Sequence, residues 1–210
     1  MRLLEPFPAP GGCALPMRRG FWRAKEPHRG EGRMLIVNGH PDPRPERFCA
    51  ALCKACHGGA RSAGRQADMI SLGSLPAGDG QDFAHASWEL ALELVRRASH
   101  LTVVFPLWLD KPPPLLSTFF QQAAAGAARD RSAGLVRRSA HFVVTMAMPA
   151  FAHRSIFRAQ DLMPLRGVET DGLSFIGSVD TISNAQREEW LERLHLLGTQ
   201  GAWPAHLRTG

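Results

Sequence analysis

Three short, mostly apolar runs limit the possible folds of this chain more than any other feature. They cover residues 34–37, 101–105 and 141–146. Each run is too short for a helix of ordinary length, and its near-continuous apolarity suits a strand that is covered on both faces. Strands of that kind occur in parallel sheets with helices packed on each side. The runs therefore predict a layered α/β domain.

Helical patterns alternate with these strands. Pro41, Pro43 and Pro45 rule out a longer first strand, and a helix is predicted over residues 46–63. The other predicted elements are strands over 67–72 and 173–179, helices over 87–99 and 115–128, and a closing helix from Gln186 or Arg187 behind a cap at Ser183 or Asn184. This alternation predicts a doubly wound sheet, in which ligands bind beyond the carboxyl ends of the strands.

Charge and hydropathy restrict the partners of the chain. The net charge is +6, but residues 1–33 hold seven Lys or Arg against three Glu in a stretch rich in Pro and Gly. We predict a disordered basic extension over 1–33, one domain over 34–200 and a tail over 201–210. The small basic excess of the domain argues against nucleic-acid binding. No run reaches the ~18 to 20 apolar residues that a membrane span needs, and a cytoplasmic protein is predicted.

The cysteines Cys49, Cys53 and Cys56 allow two interpretations. Their C-x3-C-x2-C spacing, followed by His57, would suit a metal or iron–sulfur site. The same spacing places the three thiols on one buried stripe of the predicted helix, where free cysteine is common. A zinc site would need a second ligand pair, and none is suitably spaced. We therefore predict a buried stripe and no metal.

The first of three strand-end loops (residues 40–47, the first loop) suggests an anion site. It brings His40, Arg44 and Arg47 to the start of a helix. The free backbone N–H groups and the dipole at a helix start favour an anion such as a phosphate. A proline-stiffened turn with solvent-facing basic side chains fits the same residues, so the loop alone leaves both interpretations open.

The other two strand-end loops suggest a flat apolar site. The second loop (residues 106–111) carries Trp108, and the third loop (residues 147–154) continues from an apolar strand end to His153. A planar ring could stack on the indole and form hydrogen bonds with the main chain of this loop. The indole could equally pack against the next helix. The three loops together predict a planar apolar ligand with an anionic tail.

Four motifs in this order resemble a known family. They are N-G-H-P-D-P after the first strand, F-P-L-W after the third, V-V-T-M-x-M-P after the fourth, and I-G-S-V before a closing A-x-R-E-x-W-L helix. Over residues 34–198 the chain resembles the flavodoxin-like NAD(P)H dehydrogenase (quinone) family. The resemblance implies a flavodoxin-like fold, with a five-stranded parallel sheet in the order 2-1-3-4-5 and helices on both faces. It also implies a bound flavin (FMN or FAD), hydride transfer from NAD(P)H to a quinone or similar acceptor, and a homodimer.

The resemblance also implies roles for residues in all three loops. His40 and the helix start match the segment that holds the flavin phosphate and ribityl chain, the F-P-L-W segment matches the loop along the isoalloxazine edge, and the third motif matches the loop over its pyrimidine end. The residues so assigned to cofactor binding are His40, Arg44, Arg47, Phe48, Cys49, Pro106, Leu107, Trp108, Leu109, Met146, Ala147, Met148 and Pro149.

The chain departs from the family's pattern in ways that bear on turnover. Ala147 stands where the family has glycine, and the chain has no tyrosine. His153 lies near the usual tyrosine position, where it would act as the catalytic residue by stabilising negative charge, or else remain an exposed loop histidine. Residues 121–134 are rich in alanine where the family is aromatic. The alternative function is therefore a regulatory or ancillary subunit that binds flavin or nucleotide with little turnover.

Overall fold

A computed structural model of the chain describes residues 32–75, 82–108, 111–129, 138–149 and 168–201. Side chains are not described at 82–86 and 127–129. The strands are β1 (Met34–Asn38), β2 (Ala67–Ser71), β3 (His100–Pro106), β4 (Arg138–Thr145) and β5 (Val168–Ile176). The helices are α1 (Phe48–Ser62), α2 (Asp82–Arg97), α3 (Pro114–Arg129) and α4 (Asn184–Gln200), with a 3-10 turn at Leu72–Ser74.

The five strands form one parallel sheet in the order β2-β1-β3-β4-β5. This order confirms the predicted fold class. Alternate residues of β1 enter two separate cores: Leu35 and Val37 pack with α2 and α3, whereas Met34 and Ile36 pack with α1 and α4. Helices therefore cover both faces of the sheet, which explains why the inner strands are apolar at nearly every position.

The predicted bounds of the last two strands are wrong. β4 begins at Arg138, three residues before the predicted start, and β5 runs from Val168 to Ile176 instead of over 173–179. β5 is an edge strand, and its first half includes Glu169, Thr170 and Asp171. An edge strand that is only half buried needs no continuous apolar run, so the pattern that identifies the inner strands does not detect it.

The three cysteines of α1 are buried, as the stripe predicts. Cys49, Cys53 and Cys56 are each at most 3% exposed in the core between α1, α4 and the sheet. Burial raises the pKa of the Cys49 thiol to about 11 and that of the Cys56 thiol to about 12. Among the described residues, no group of three or more His, Cys, Asp or Glu side chains could hold a metal ion.

Two glycines set the distance between α1 and α4. A Cβ atom on Gly59 would overlap the backbone carbonyl oxygen of His195, and one on Gly198 would overlap that of Cys56. Each helix therefore presents a glycine to the backbone of the other. Ser183 caps α4 as predicted, in a capping box with Gln186.

A β-bulge places a carboxylate beside two histidines near the amino end of the sheet. The register between β4 and β5 shifts at Ala140 and His141, which leaves Asp171 without a strand partner. Its carboxylate oxygens lie 3.4 Å from Nδ1 of His100 and 3.6 Å from Nδ1 of His141. Gly172 makes room for this arrangement, because a Cβ there would overlap the His141 ring. The cluster lies at the end of the sheet opposite the three loops.

Candidate functional site

The described parts of the three loops meet at the carboxyl ends of β1, β3 and β4. The backbone N–H of Gly39 donates to the carbonyl of Val104 (2.8 Å), and that of Leu107 donates to the carbonyl of Thr145 (2.8 Å). These two bonds extend the strand pairing into the loops. A site built here is therefore fixed to the rigid centre of the sheet.

The start of the first loop is held by the last residue of β1. Asn38 is buried; its Oδ1 accepts from the backbone N–H of His40 (3.1 Å), and its Nδ2 donates to Oγ of Ser71 (3.3 Å). A Cβ atom on Gly73 would overlap the backbone of Pro41, so the turn after β2 also supports the loop. These supporting roles of Asn38 and Gly73 were not predicted from the sequence. The position of Asn38, a polar residue directly after an apolar run, could have indicated its role.

His40 is held by the backbone of Asp42. Its partial burial lowers its pKa, which favours the neutral ring, and the nearby Arg47 also lowers it. Nδ1 of His40 lies 2.9 Å from the backbone N–H of Asp42 and 3.0 Å from the carbonyl oxygen of Asp42. In the tautomer whose Nδ1 accepts from that N–H, Nε2 is a hydrogen-bond donor; in the tautomer whose Nδ1 donates to that carbonyl, Nε2 is an acceptor.

Both arginines of the first loop are bound to Asp42. Nη2 of Arg44 lies 2.6 Å and Nη2 of Arg47 lies 2.5 Å from the same carboxylate oxygen. The other oxygen accepts from the backbone N–H of Arg44 (3.1 Å). Hydrogen bonds from Arg44 and Arg47 hold the pKa of Asp42 well below its usual range, so the carboxylate stays ionised. The arginines that the sequence suggested as anion ligands thus already have an anionic partner.

The start of α1 offers donors without acceptors. Its N-cap residue, Arg47, makes no side-chain cap, and the first helical bond runs from the N–H of Ala51 to the carbonyl of Arg47 (3.1 Å). Among the described residues, the N–H groups of Phe48, Cys49 and Ala50 therefore have no backbone acceptor, and that of Cys49 lies near its own thiol. The first turn holds no acidic side chain, so the partial positive charge of the helix start is not neutralised. These three N–H groups suit an oxygen-rich anion.

The Cys49 side chain faces away from that anion position. Its Sγ lies 3.3 Å from Oγ1 of the buried Thr145, at the end of β4. Cys49 can therefore contribute its backbone N–H to a ligand but not its thiol. The contact also fixes the start of α1 to the strand that leads into the third loop.

The second loop contributes an indole ring more than backbone donors. Trp108 is 49% exposed, and its ring stands edge-on to the His40 ring with centroids 6.3 Å apart. The backbone N–H of Trp108 donates to the carbonyl of Lys111 (2.9 Å), and the backbone N–H of Lys111 donates to the carbonyl of Trp108 (2.9 Å). Leu107 is nearly buried, and Pro106 is the last residue of β3. The predicted main-chain hydrogen bonds to a ring cannot come from Leu107 or Trp108 in this arrangement.

The third loop is held by the segment after β5. The N–H of Met146 donates to Ile176 (2.9 Å), that of Val179 to Met146 (3.1 Å) and that of Ser178 to Met148 (3.0 Å), all to backbone carbonyls. Ser178 has a φ of 54°, a left-handed conformation that is unusual for serine. Its role in holding the third loop was not predicted, although it belongs to the I-G-S-V motif.

The surface of the third loop is apolar and carries two unused donors. Met146 is buried, whereas Ala147, Met148 and Pro149 are exposed, Met148 to 54%. Within the described part of the chain, the N–H groups of Ala147 and Met148 have no acceptor. The predicted site residues Leu109 and His153 lie outside the described residues.

Together the described residues provide one site with two chemical halves. The start of α1 supplies neutral donors for an anion, and His40 lies in the loop that leads to it. Trp108 is in contact with His40, and Met148 adds a second exposed apolar side chain at the same edge of the sheet. The arrangement suits a ligand that joins a phosphate to a flat ring.

Comparison with known proteins agrees with the fold. A family model described as a flavodoxin-like fold matches residues 32–179. A provisionally named quinone reductase from Klebsiella pneumoniae superposes with a TM-score of 0.63 at 17% identity, over 79% of this chain and 83% of that one. An NAD(P)H:quinone oxidoreductase from Methanothermobacter marburgensis superposes with a TM-score of 0.60 at 18% identity, over 80% of this chain and 98% of that one.

An azoreductase from Bacillus anthracis gives a TM-score of 0.51 at 16% identity, over 80% of this chain and 99% of that one. No curated protein matches the sequence significantly. None of the helices in the described residues is both long enough and apolar enough to span a bilayer.

Proposed function

This chain belongs to the flavodoxin-like family, and on that premise we propose that it is a flavin-dependent oxidoreductase that passes two electrons from NAD(P)H to a quinone or a similar small acceptor. The observation that carries the proposal is the pairing of an anion position with a flat apolar wall at one edge of the sheet. Three N–H groups without backbone acceptors begin α1, and Trp108 stands edge-on to His40 in the loop pair at the same edge of the sheet. The names of the structural neighbours, which include quinone reductases and an azoreductase, support the same reaction class.

The residues present fit a flavin. The N–H groups of Phe48 and Cys49 would bind its phosphate, joined by Nε2 of His40 in the tautomer that carries its hydrogen there, and the Trp108 and Met148 side chains would pack on its ring and exclude water. A bound flavin would supply the hydride chemistry between NAD(P)H and the acceptor. The protein then needs to bind, orient and shield, and no nucleophilic side chain is required. His153 as the catalytic residue that stabilises negative charge, and the homodimer, remain predictions.

The direct test is to identify and reduce the bound flavin. We expect the purified protein to be yellow or to bind added FMN or FAD, and the flavin absorbance to bleach when NADH or NADPH is added anaerobically. Heat release and chromatography would then distinguish FMN from FAD. A colourless protein that binds neither flavin would refute the proposal.

One observation favours the ancillary-subunit alternative. α3 continues as one helix from Pro114 to Arg129 through an alanine-rich stretch, and residues 123–126 offer only small side chains in place of aromatic surface. A small surface of this kind would hold a quinone poorly. Flavin binding without steady-state quinone reduction would support this second function over the first.

A further inference from the structure

Asp42 is the central group of the first loop. One carboxylate oxygen accepts from the backbone N–H of Arg44 (3.1 Å), and the other accepts from the guanidinium groups of Arg44 and Arg47. Its backbone N–H donates to His40. No other side chain of this loop makes as many contacts within it, and three of its partners are residues that the sequence suggested as anion ligands.

These ion pairs change the charge that a ligand meets at the start of α1. Arg44 and Arg47 are exposed, so without Asp42 they would be free to turn toward an anion there. The bonds to Asp42 hold them in the loop, and Glu46 adds a further negative charge next to Arg44. The formal charges of these four side chains cancel, while the neutral His40 adds none.

We propose that Asp42 is a specificity-determining residue of the proposed flavin site: by binding Arg44 and Arg47, it withholds their charge from the anion position, so the phosphate is bound by neutral N–H donors. The inference rests on the proposed function. A site of this kind recognises the shape and the acceptors of a phosphate more than its charge. It would therefore bind phosphorylated flavins with little dependence on salt.

The test compares Asp42→Asn with Glu46→Gln. Both variants remove one negative charge from the same loop, but only the first releases the arginines, and its amide oxygen can still accept from the N–H of Arg44. Kd values for FMN and for riboflavin, which lacks the phosphate, are measured at about 20 mM and about 0.5 M NaCl. Across that range the Debye length falls from about 20 Å to about 4 Å. Thermal melts confirm that each variant is folded.

The FMN-to-riboflavin affinity ratio reports the contribution of the phosphate. In the natural protein we expect this ratio to change by less than about threefold with salt. In Asp42→Asn it should rise about five- to tenfold at low salt and return toward the natural value at high salt, because a freed guanidinium can pair with the phosphate. Glu46→Gln should change it by less than about threefold. An Asp42→Asn ratio that stays unchanged or falls, or an equal rise in Glu46→Gln, would overturn the inference.

Inorganic phosphate separates this inference from the proposed function. It is titrated into the flavin-free protein while the amide NMR signals of Phe48 and Cys49 are followed. Asp42→Asn should bind it about five- to tenfold more tightly than the natural protein at low salt. If neither flavin binds but this gain is seen, the proposed function is wrong and the role of Asp42 stands. If phosphate binds both proteins equally, the inference is wrong.

Discussion

Two adjacent glycines in α1 should respond in opposite directions to the same substitution. Gly59 lies against the backbone of α4, where a Cβ would overlap the carbonyl oxygen of His195, whereas a Cβ on Gly58 would meet nothing within 4 Å. Gly58→Ala should therefore stabilise the protein by about 0.5–1 kcal/mol, because alanine loses less backbone entropy in a helix. Gly59→Ala gains the same entropic stabilisation, but its new Cβ atom forces the two helices apart.

The cost at Gly59 can be estimated from what surrounds it. Overpacking a tight contact costs about 1–3 kcal/mol or somewhat more. Here the obstructing atom is backbone, which no rotamer change can move, and separating the helices would also loosen the buried Leu194 and Leu197. Taking the upper end of that range, about 3 kcal/mol, and subtracting the helix gain of about 0.5–1 kcal/mol, we expect Gly59→Ala to destabilise the protein by about 2–2.5 kcal/mol. The two variants should then differ by about 3 kcal/mol.

Urea unfolding followed by circular dichroism measures both changes, and an unchanged m-value would show that the midpoint shift reflects stability. In thermal melts the Gly59→Ala midpoint should drop by roughly 5–10 °C. Gly198→Ala fills the same gap from α4, so the double variant should be less destabilised than the sum of the single ones. Equal effects of alanine at positions 58 and 59 would refute the assignment of Gly59 as the contact that sets the helix spacing.

Three further results are expected. His40→Ala should weaken FMN binding about five- to tenfold, because it removes the ring whose Nε2 we propose as a phosphate donor. Arg44→Ala should change FMN binding less, because the Arg44 guanidinium is bound to Asp42. Flavin fluorescence titration measures both affinities, and a reversed order would show that the roles are misassigned. Burial raises the pKa of Cys49 to about 11 and that of Cys56 to about 12, so both thiols should resist iodoacetamide at pH 8 until the protein unfolds. Mass spectrometry measures the labelling, and rapid labelling of the folded protein would contradict this expectation. Burial lowers the pKa of His100 below 6.5, so the unfolded state binds more protons than the folded state near that pH. The free energy of unfolding should therefore fall as the pH drops through 6.5, and urea melts at pH 7.5 and 5.5 should show this loss of stability. The loss should be smaller in His100→Gln.

The sequence predicts the inner part of this fold well for a physical reason. β1 and β3 are buried on both faces, so almost every residue in them must be apolar, and a continuous apolar run identifies them. β5 has a neighbour on one side only and carries a bulge with Asp171. Its burial depends on tertiary contacts that a local pattern does not contain, and its predicted bounds were wrong for that reason.

The positions of the three loops could be predicted, but their internal contacts could not. Parallel strands end at a common edge, so three strand ends were enough to locate the loops. The pairing of Asp42 with two arginines depends on which of several nearby charges meet in space, and the exchange of hydrogen bonds between Trp108 and Lys111 depends on the path of the second loop. Neither is encoded by residue spacing.

The first loop is held in place before any ligand arrives, which has a consequence for affinity. Three prolines restrict its backbone, Asn38 and Gly73 fix its start, and Asp42 fixes its end. Each immobilised, rotamer-rich side chain would otherwise cost about 0.5–1.5 kcal/mol on binding. A neutral set of N–H donors makes weaker individual bonds than free arginines would. Preorganisation would offset that weakness, so the proposed phosphate site would not need a net positive charge.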